Sequence, residues 1–265
     1  MASSPQAFEQ TFMSSMNSLV ATYDFDGFDF DIESGLNGAR SFVNPGEGCS
    51  NDTYDSKCDI YYLSTIINGF HTQYPDTMLT LAPQIANIAA TQQFDSVWGN
   101  YASLVMQTYG SLEWVAFQNY NAGCAYGIDL ICYPTGSNTL TSTADPAVAF
   151  STDLLENWPA TTSSGQITGF QNYTSFLNPS QVVIGYVVNN SSGNSDGSPS
   201  VNPYLSVAKD AIQCLRTHEQ CATYTPPRTY PGIGGVFAWS INYDASNNYQ
   251  FAKSLYPCVV QGNCS

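Results

Sequence analysis

The stretch that most constrains this chain runs from Phe25 to Glu33 and reads Phe-Asp-Gly-Phe-Asp-Phe-Asp-Ile-Glu. Within it the large apolar residues Phe28, Phe30 and Ile32 alternate with the acids Asp29, Asp31 and Glu33. A period of two among aromatic and β-branched residues is the mark of a strand, here with one greasy face and one acidic face. Carboxyl groups gathered on one face repel each other, and crowding them raises at least one of their pKa values. A solvated acidic edge strand would satisfy the alternation alone, but the flanks narrow the choice. A helix-like segment runs straight into the strand, Gly27 precedes Phe28, and Ser34, Gly35, Asn37 and Gly38 follow as loop residues. That is the layout of one strand in a β/α barrel, with its acids aimed at the carboxyl-terminal mouth.

The rest of the chain repeats the alternation of helix and strand. Ser4-Pro5 is a helix start, Ser as cap and Pro at the first helical position. Phe8, Phe12, Met16, Leu19 and Val20 then mark one apolar face ending near Thr22. After the acidic strand, 44–57 is a loop rich in Gly, Asn and Asp. The spacing predicts helices over 59–74, 94–109, 146–158, 204–215 and 246–255, and strands over 78–82, 113–120, 182–188 and 235–241. Residues 169–177 read as a short helix or an irregular segment. Apolar strands alternating with helices give an α/β chain with a parallel sheet covered on both faces.

Composition limits the partners. Six Lys or Arg stand against 21 Asp or Glu, a formal charge of −15, which argues against nucleic acid or an anionic membrane surface. No apolar run is long enough to span a bilayer. The eight cysteines fall in close couples, Cys49/Cys58, Cys124/Cys132, Cys214/Cys221 and Cys258/Cys264. Connectivity does not follow from spacing alone, and neighbour pairing is the simplest expectation. No couple has metal-finger spacing, and His71 and His218 are not placed to complete a zinc site. Eight cysteines in close couples, with sequons at Asn51, Asn172, Asn189, Asn190 and Asn263, fit an oxidising, secretory setting, and the protein is expected to be secreted. Met1 to Pro5 lacks a basic region followed by an apolar one, so the expected export signal lies outside this chain.

Asp26-Gly27-Phe28-Asp29-Phe30-Asp31-Ile32-Glu33 resembles the D-G-x-D-x-D-x-E signature of glycoside hydrolase family 18, the chitinase family, with all four acids at the family spacing. Leu79-Thr80-Leu81-Ala82-Pro83-Gln84, Gln118-Asn119-Tyr120-Asn121 and Ala238-Trp239-Ser240-Ile241-Asn242-Tyr243-Asp244 are similar to the fifth-, sixth- and eighth-strand motifs of its compact, class III-like members. Residues 188–233 leave no room for the inserted lobe that other members carry. The resemblance implies a (β/α)8 TIM barrel. Since the family's acidic signature lies on the fourth strand, it also implies that residues 1–265 form the C-terminal part of the catalytic domain, a partial barrel of strands four to eight.

The resemblance further implies retaining, substrate-assisted hydrolysis of β-1,4-N-acetylglucosamine linkages in chitin or chitooligosaccharides, without a metal or other cofactor. By position in the motifs, Glu33 is the expected acid and later base, Asp31 the group that orients the acetamide, and Asp29 a deeper partner sharing a proton with Asp31. Tyr120 is the expected donor to the acetamide oxygen. Gln84, Gln118 and Asn121 are expected against the same sugar, and Trp239 beneath it. Asp26 lies off the acidic face and is expected to be structural. A full barrel of this kind is expected to be a monomer. Two other readings stay open: an endo-β-N-acetylglucosaminidase acting on N-glycans, and an inactive chitin-binding lectin or truncated product. An intact Glu33 favours an active ancestor over a lectin.

Overall fold

The computed structural model describes residues 4–33, 36, 44–88, 101–120, 123–134, 143–161, 167–188 and 201–264. The chain opens with helix α1 (Pro5–Tyr23), capped by Ser4, whose Oγ accepts the Ala7 amide at 3.2 Å. Asp24, in the left-handed region, closes the helix with its amide on the Val20 carbonyl and turns the chain into strand β1 (Gly27–Phe30). There follow α2 (Asp59–Gln73), β2 (Met78–Leu81), a 3-10 turn at Ile85–Asn87, α3 (Tyr101–Thr108) and β3 (Trp114–Gln118). A hairpin of β4 (Cys124–Tyr126) and β5 (Cys132–Pro134) precedes α4 (Asp145–Leu155), and a second one comprises β6 (Trp158–Thr161) and β7 (Ile167–Tyr173). The chain ends through β8 (Val182–Val187), α5 (Val201–Thr217), β9 (Gly235–Trp239), α6 (Ile241–Ser246) and α7 (Gln250–Gln261).

Strands β1, β2, β3, β8 and β9 form one parallel sheet in that order, with the two hairpins as separate antiparallel pairs. This is the α/β architecture expected of a partial barrel, with β1 and β9 at the two edges. The greasy face of β1 meets the helices: Phe12 of α1 lies 5.9 Å from Phe30 and 6.0 Å from Phe28, and Phe28 meets Phe70 of α2 edge-on at 5.0 Å. Alternation then turns Asp29 to the opposite face of the sheet. Gly27 is required at the base of β1, since a Cβ there would lie 2.0 Å from the Met78 carbonyl oxygen on the neighbouring strand.

Several expectations need correction. The acidic strand is shorter than its alternation: the ladder ends at Phe30, and Asp31, Ile32 and Glu33 lie just beyond it. Residues 169–177 are neither a short helix nor irregular throughout, because 167–173 is the strand that pairs with Trp158–Thr161. Ile241 begins a helix instead of ending β9, and the last helix starts at Gln250, with the separate short α6 before it. Of the helix expected over 94–109, residues 94–100 lie outside the described residues. Three of the expected disulfides are present, Cys49–Cys58, Cys214–Cys221 and Cys258–Cys264. Cys132 is also disulfide-bonded, whereas the side chain of Cys124 is outside the described residues. Among the described residues, no helix is long and apolar enough to cross a membrane.

Candidate active site

The parallel arrangement brings the carboxyl ends of β1, β2 and β3 side by side, and most of the expected residues meet there. Asp29 sits opposite Thr80 in the β1–β2 register, and the Thr80 hydroxyl donates to Asp29 Oδ1. Burial pushes the Asp29 pKa up from the ordinary carboxylate range, with the Thr80 hydrogen bond opposing it. Asp31 follows two residues on. Its pKa is also raised, first by burial and then by the charges of Glu33 and Asp29. The two inner acids therefore hold their protons to a higher pH than free aspartates do.

Gln118, at the end of β3 and buried, ties the acids together. Its Nε2 donates to Asp31 Oδ1 at 3.0 Å, to the Ala82 carbonyl at 3.0 Å and to Glu33 Oε1 at 3.4 Å. An amide nitrogen has two hydrogens for these acceptors, so the longest contact, to Glu33, is the weakest. Gln84 adds a long bond from Nε2 to Glu33 Oε2 at 3.3 Å. Gln84 is itself in register with Gln118 through an isolated bridge, and the Gln118 amide donates to the Pro83 carbonyl. The Glu33 carboxyl is thus touched on both oxygens but clamped on neither.

Tyr120 stands just past β3. Its pKa is raised above the ordinary tyrosine range by burial first, then by Asp31, Glu33 and Asp29, so its hydroxyl stays protonated within the field of all three acids. Trp239 ends β9 at the opposite edge of the sheet and is 53% exposed. Asn121 lies outside the described residues. The Asp26 carbonyl accepts the Met78 amide at the start of the β1–β2 pairing.

Three residues of this cluster escape sequence reasoning. Thr80 had a faint signal, since Leu79 and Leu81 alternate around it. Asn87 donates from Nδ2 to the Glu33 carbonyl at 2.8 Å, and Tyr101 donates its hydroxyl to the Ile32 carbonyl. Neither had any signal, because both act on the backbone of residues more than 50 positions away. Among the described residues, no group of His, Cys, Asp and Glu is arranged to hold a metal ion.

Known proteins bear directly on this arrangement. No protein-family model matches the chain. The C-terminal domain of ChiA from Legionella pneumophila is 50% identical, with a TM-score of 0.84, over 99% of this chain and 74% of that one. A family GH18 chitinase from Chromobacterium violaceum shares the fold at a TM-score of 0.74 and 24% identity, over 95% of this chain and 59% of that one. Chitinase D from Niallia circulans is 28% identical over 253 residues, 94% of this chain and 44% of its own length. The chain thus spans less than half the length of the first curated relatives it matches. With half its residues shared with one solved domain over nearly all of its own length, and the acidic signature set on the fold of a GH18 chitinase, this chain belongs to glycoside hydrolase family 18.

Proposed function

We propose that residues 1–265 are the C-terminal part of a catalytic domain that hydrolyses β-1,4-N-acetylglucosamine linkages in chitin or chitooligosaccharides, with retention at the anomeric carbon. The observation that carries this reading is the single Gln118 nitrogen lying 3.0 Å from Asp31 and 3.4 Å from Glu33. Two carboxyl groups that share one amide donor can both reach one sugar residue. Glu33 gives its proton to the departing glycosidic oxygen as that bond breaks, and the substrate's own acetamide oxygen closes on the anomeric carbon. Asp31 accepts the acetamide N–H and stabilises the positive charge of the cyclic intermediate. Asp29 beneath it shares a proton, which the raised pKa values of both support. Tyr120 donates to the acetamide oxygen. Water then opens the ring, giving its proton to Glu33 and restoring the acid. Gln84, Gln118 and Asn121 bind the same sugar, and Trp239 forms its floor.

The three disulfides of the described residues support an oxidising, extracellular setting for the protein. In the full-length protein, Glu33→Gln is expected to lower kcat on a chromogenic chitooligosaccharide by about 10²–10⁴-fold. It should leave the affinity for the oligosaccharide in place. Undiminished turnover by Glu33→Gln would sink the assignment of the acid. Faster release of high-mannose glycans than of chitooligosaccharide would move the substrate to N-glycans.

A further inference from the structure

The acid of the proposed reaction sits on backbone that the sheet no longer holds. The β1 ladder ends at Phe30, whose carbonyl accepts the Ala82 amide at 3.0 Å. Beyond that point two side chains grip the chain. Tyr101, at the start of α3, donates its hydroxyl to the Ile32 carbonyl, and Asn87, in the 3-10 turn after β2, donates to the Glu33 carbonyl at 2.8 Å. Both donors are almost sealed from solvent, at 2% and 1% exposure.

The geometry has a direct consequence. The peptide unit is planar, so a hydrogen bond on its carbonyl restrains the whole unit through the direction of the C=O bond. The Ile32 carbonyl belongs to the plane before the Glu33 Cα and the Glu33 carbonyl to the plane after it. Holding both narrows the rotation open to the Cα of Glu33 and so the range of directions of its Cα–Cβ bond. The carboxyl end needs such aim from behind, because its own contacts, with Gln84 at 3.3 Å and Gln118 at 3.4 Å, are long. The turn bearing Gln84 and Asn87 reaches Glu33 at both ends, touching its carboxyl with the first and its carbonyl with the second.

We propose that Asn87 and Tyr101 are positioning residues that aim Glu33 by clamping the two peptide planes around it. This rests on the reading of Glu33 as the proton donor. Neither residue touches the substrate, so losing either should change the chemical step and spare binding. Displacing a catalytic group by about 1 Å can cost on the order of 100-fold in rate. Burial and the neighbouring acids keep the Tyr101 hydroxyl protonated, so it remains a donor across the working pH range. The Glu33 charge also helps to hold up the pKa of Asp31, so a Glu33 that swings away should let that value fall.

The test is made in the full-length protein with Tyr101→Phe, which keeps the buried ring, and with Asn87→Ala, each beside Glu33→Gln. The expected result for Tyr101→Phe is a fall in kcat of about 10- to 100-fold, an unchanged KM, and an acid limb of kcat/KM displaced to lower pH. A folded Tyr101→Phe with parental kcat and pH profile overturns the proposal, even if Asn87→Ala fails to fold. A variant that loses activity through a raised KM, with the pH profile unmoved, also overturns it, because that is general damage to the cleft. If Glu33→Gln itself keeps its turnover, the acid has been misassigned and the positioning role falls with it. An inactive Glu33→Gln beside a fully active Tyr101→Phe removes the positioning role alone.

Discussion

Helices α1 and α4 both pack on the same parallel sheet, yet they live in opposite environments. None of the 19 residues of α1 is buried, although Phe8, Phe12, Met16 and Leu19 mark an apolar face. Every one of the 11 residues of α4 is buried. The difference lies in neighbours. Helix α1 rests beside β1, at one edge of the sheet, and its main helix neighbour among the described residues is α2, leaving Phe8 and Leu19 at 53% and 45% exposure. Helix α4 lies over β8 in the interior of the sheet, with α5 and β5 against its other sides. An amphipathic pattern thus specifies a helix and a face, but how much of the face is covered depends on where the helix falls in the layer. The acidic strand shares the situation of α1, since β1 too has a neighbour on one side only.

The largest test of this contrast is a pair of truncations in the 265-residue chain. Phe150→Ala in α4 should cost about 3–5 kcal/mol in denaturant unfolding, from lost burial plus the cavity left behind. Phe8→Ala in α1 should cost no more than about 0.5 kcal/mol, as exposed substitutions do. If Phe8→Ala instead costs several kcal/mol, the apolar face of α1 is covered by something beyond the described residues.

A smaller effect separates the edge strand from an inner one. An alanine Cβ at Gly185, in β8, would lie 2.4 Å from the Phe237 ring and 2.8 Å from the Phe117 carbonyl, and β8 is flanked by strands on both sides. Gly185→Ala should therefore lower global stability by about 1–3 kcal/mol or more, as overpacking does. Gly27→Ala makes an even closer clash, at 2.0 Å, but β1 can yield outward. Its expected signature is faster hydrogen exchange confined to β1 and the acid-bearing segment, with less change in the global transition. Equal global losses for the two variants would erase the distinction between edge and centre.

The smallest effect lies inside α4. Asp153 is fully buried, and neither carboxyl oxygen makes a well-formed hydrogen bond, a weak backbone contact from Ile128 offsetting the burial only in part. Burial raises its pKa well above the usual range, so the fold favours the neutral form. That contribution is complete below the unfolded value of about 3.9 and fades as pH climbs through the folded value. Asp153→Asn removes the dependence. It should be more stable than the parent by at least about 1 kcal/mol at neutral pH, with the gap closing toward pH 4. Stability curves of parent and variant that run parallel from pH 4 to 8 would show that Asp153 carries no such penalty.

How far the sequence could be read varies with the range of the interaction. The Ser4-Pro5 start of α1 and the alternation through Phe28–Phe30 were legible because capping and strand periodicity act within a few residues, whereas the end of the ladder at Phe30 left no mark in the alternation. Neighbour pairing of the cysteines held for the three bridges described, where each loop is short. Gln84, Gln118 and Tyr120 came from the family resemblance, and the structure gathers them around the acids. The pairing of 167–173 with Trp158–Thr161 was missed because Gly169 to Leu177 lacks a clear period, and its strand character comes from its partner. Trp239 was expected beneath the sugar, but what the fold fixes is its place at the end of the far edge strand.

By itself, then, the sequence determined that Asp29 faces away from Phe28 and Phe30, because alternation is a property of the extended backbone. It also determined the family, because the spacing of four acids is a one-dimensional pattern. The tertiary structure alone decided how each acid is held. Parallel register set Thr80 against Asp29, strand neighbours placed one Gln118 amide between Asp31 and Glu33, and the next turn and helix brought Asn87 and Tyr101 to the carbonyls around Glu33. These contacts join residues tens of positions apart, and only packing chooses which of the many available donors arrives.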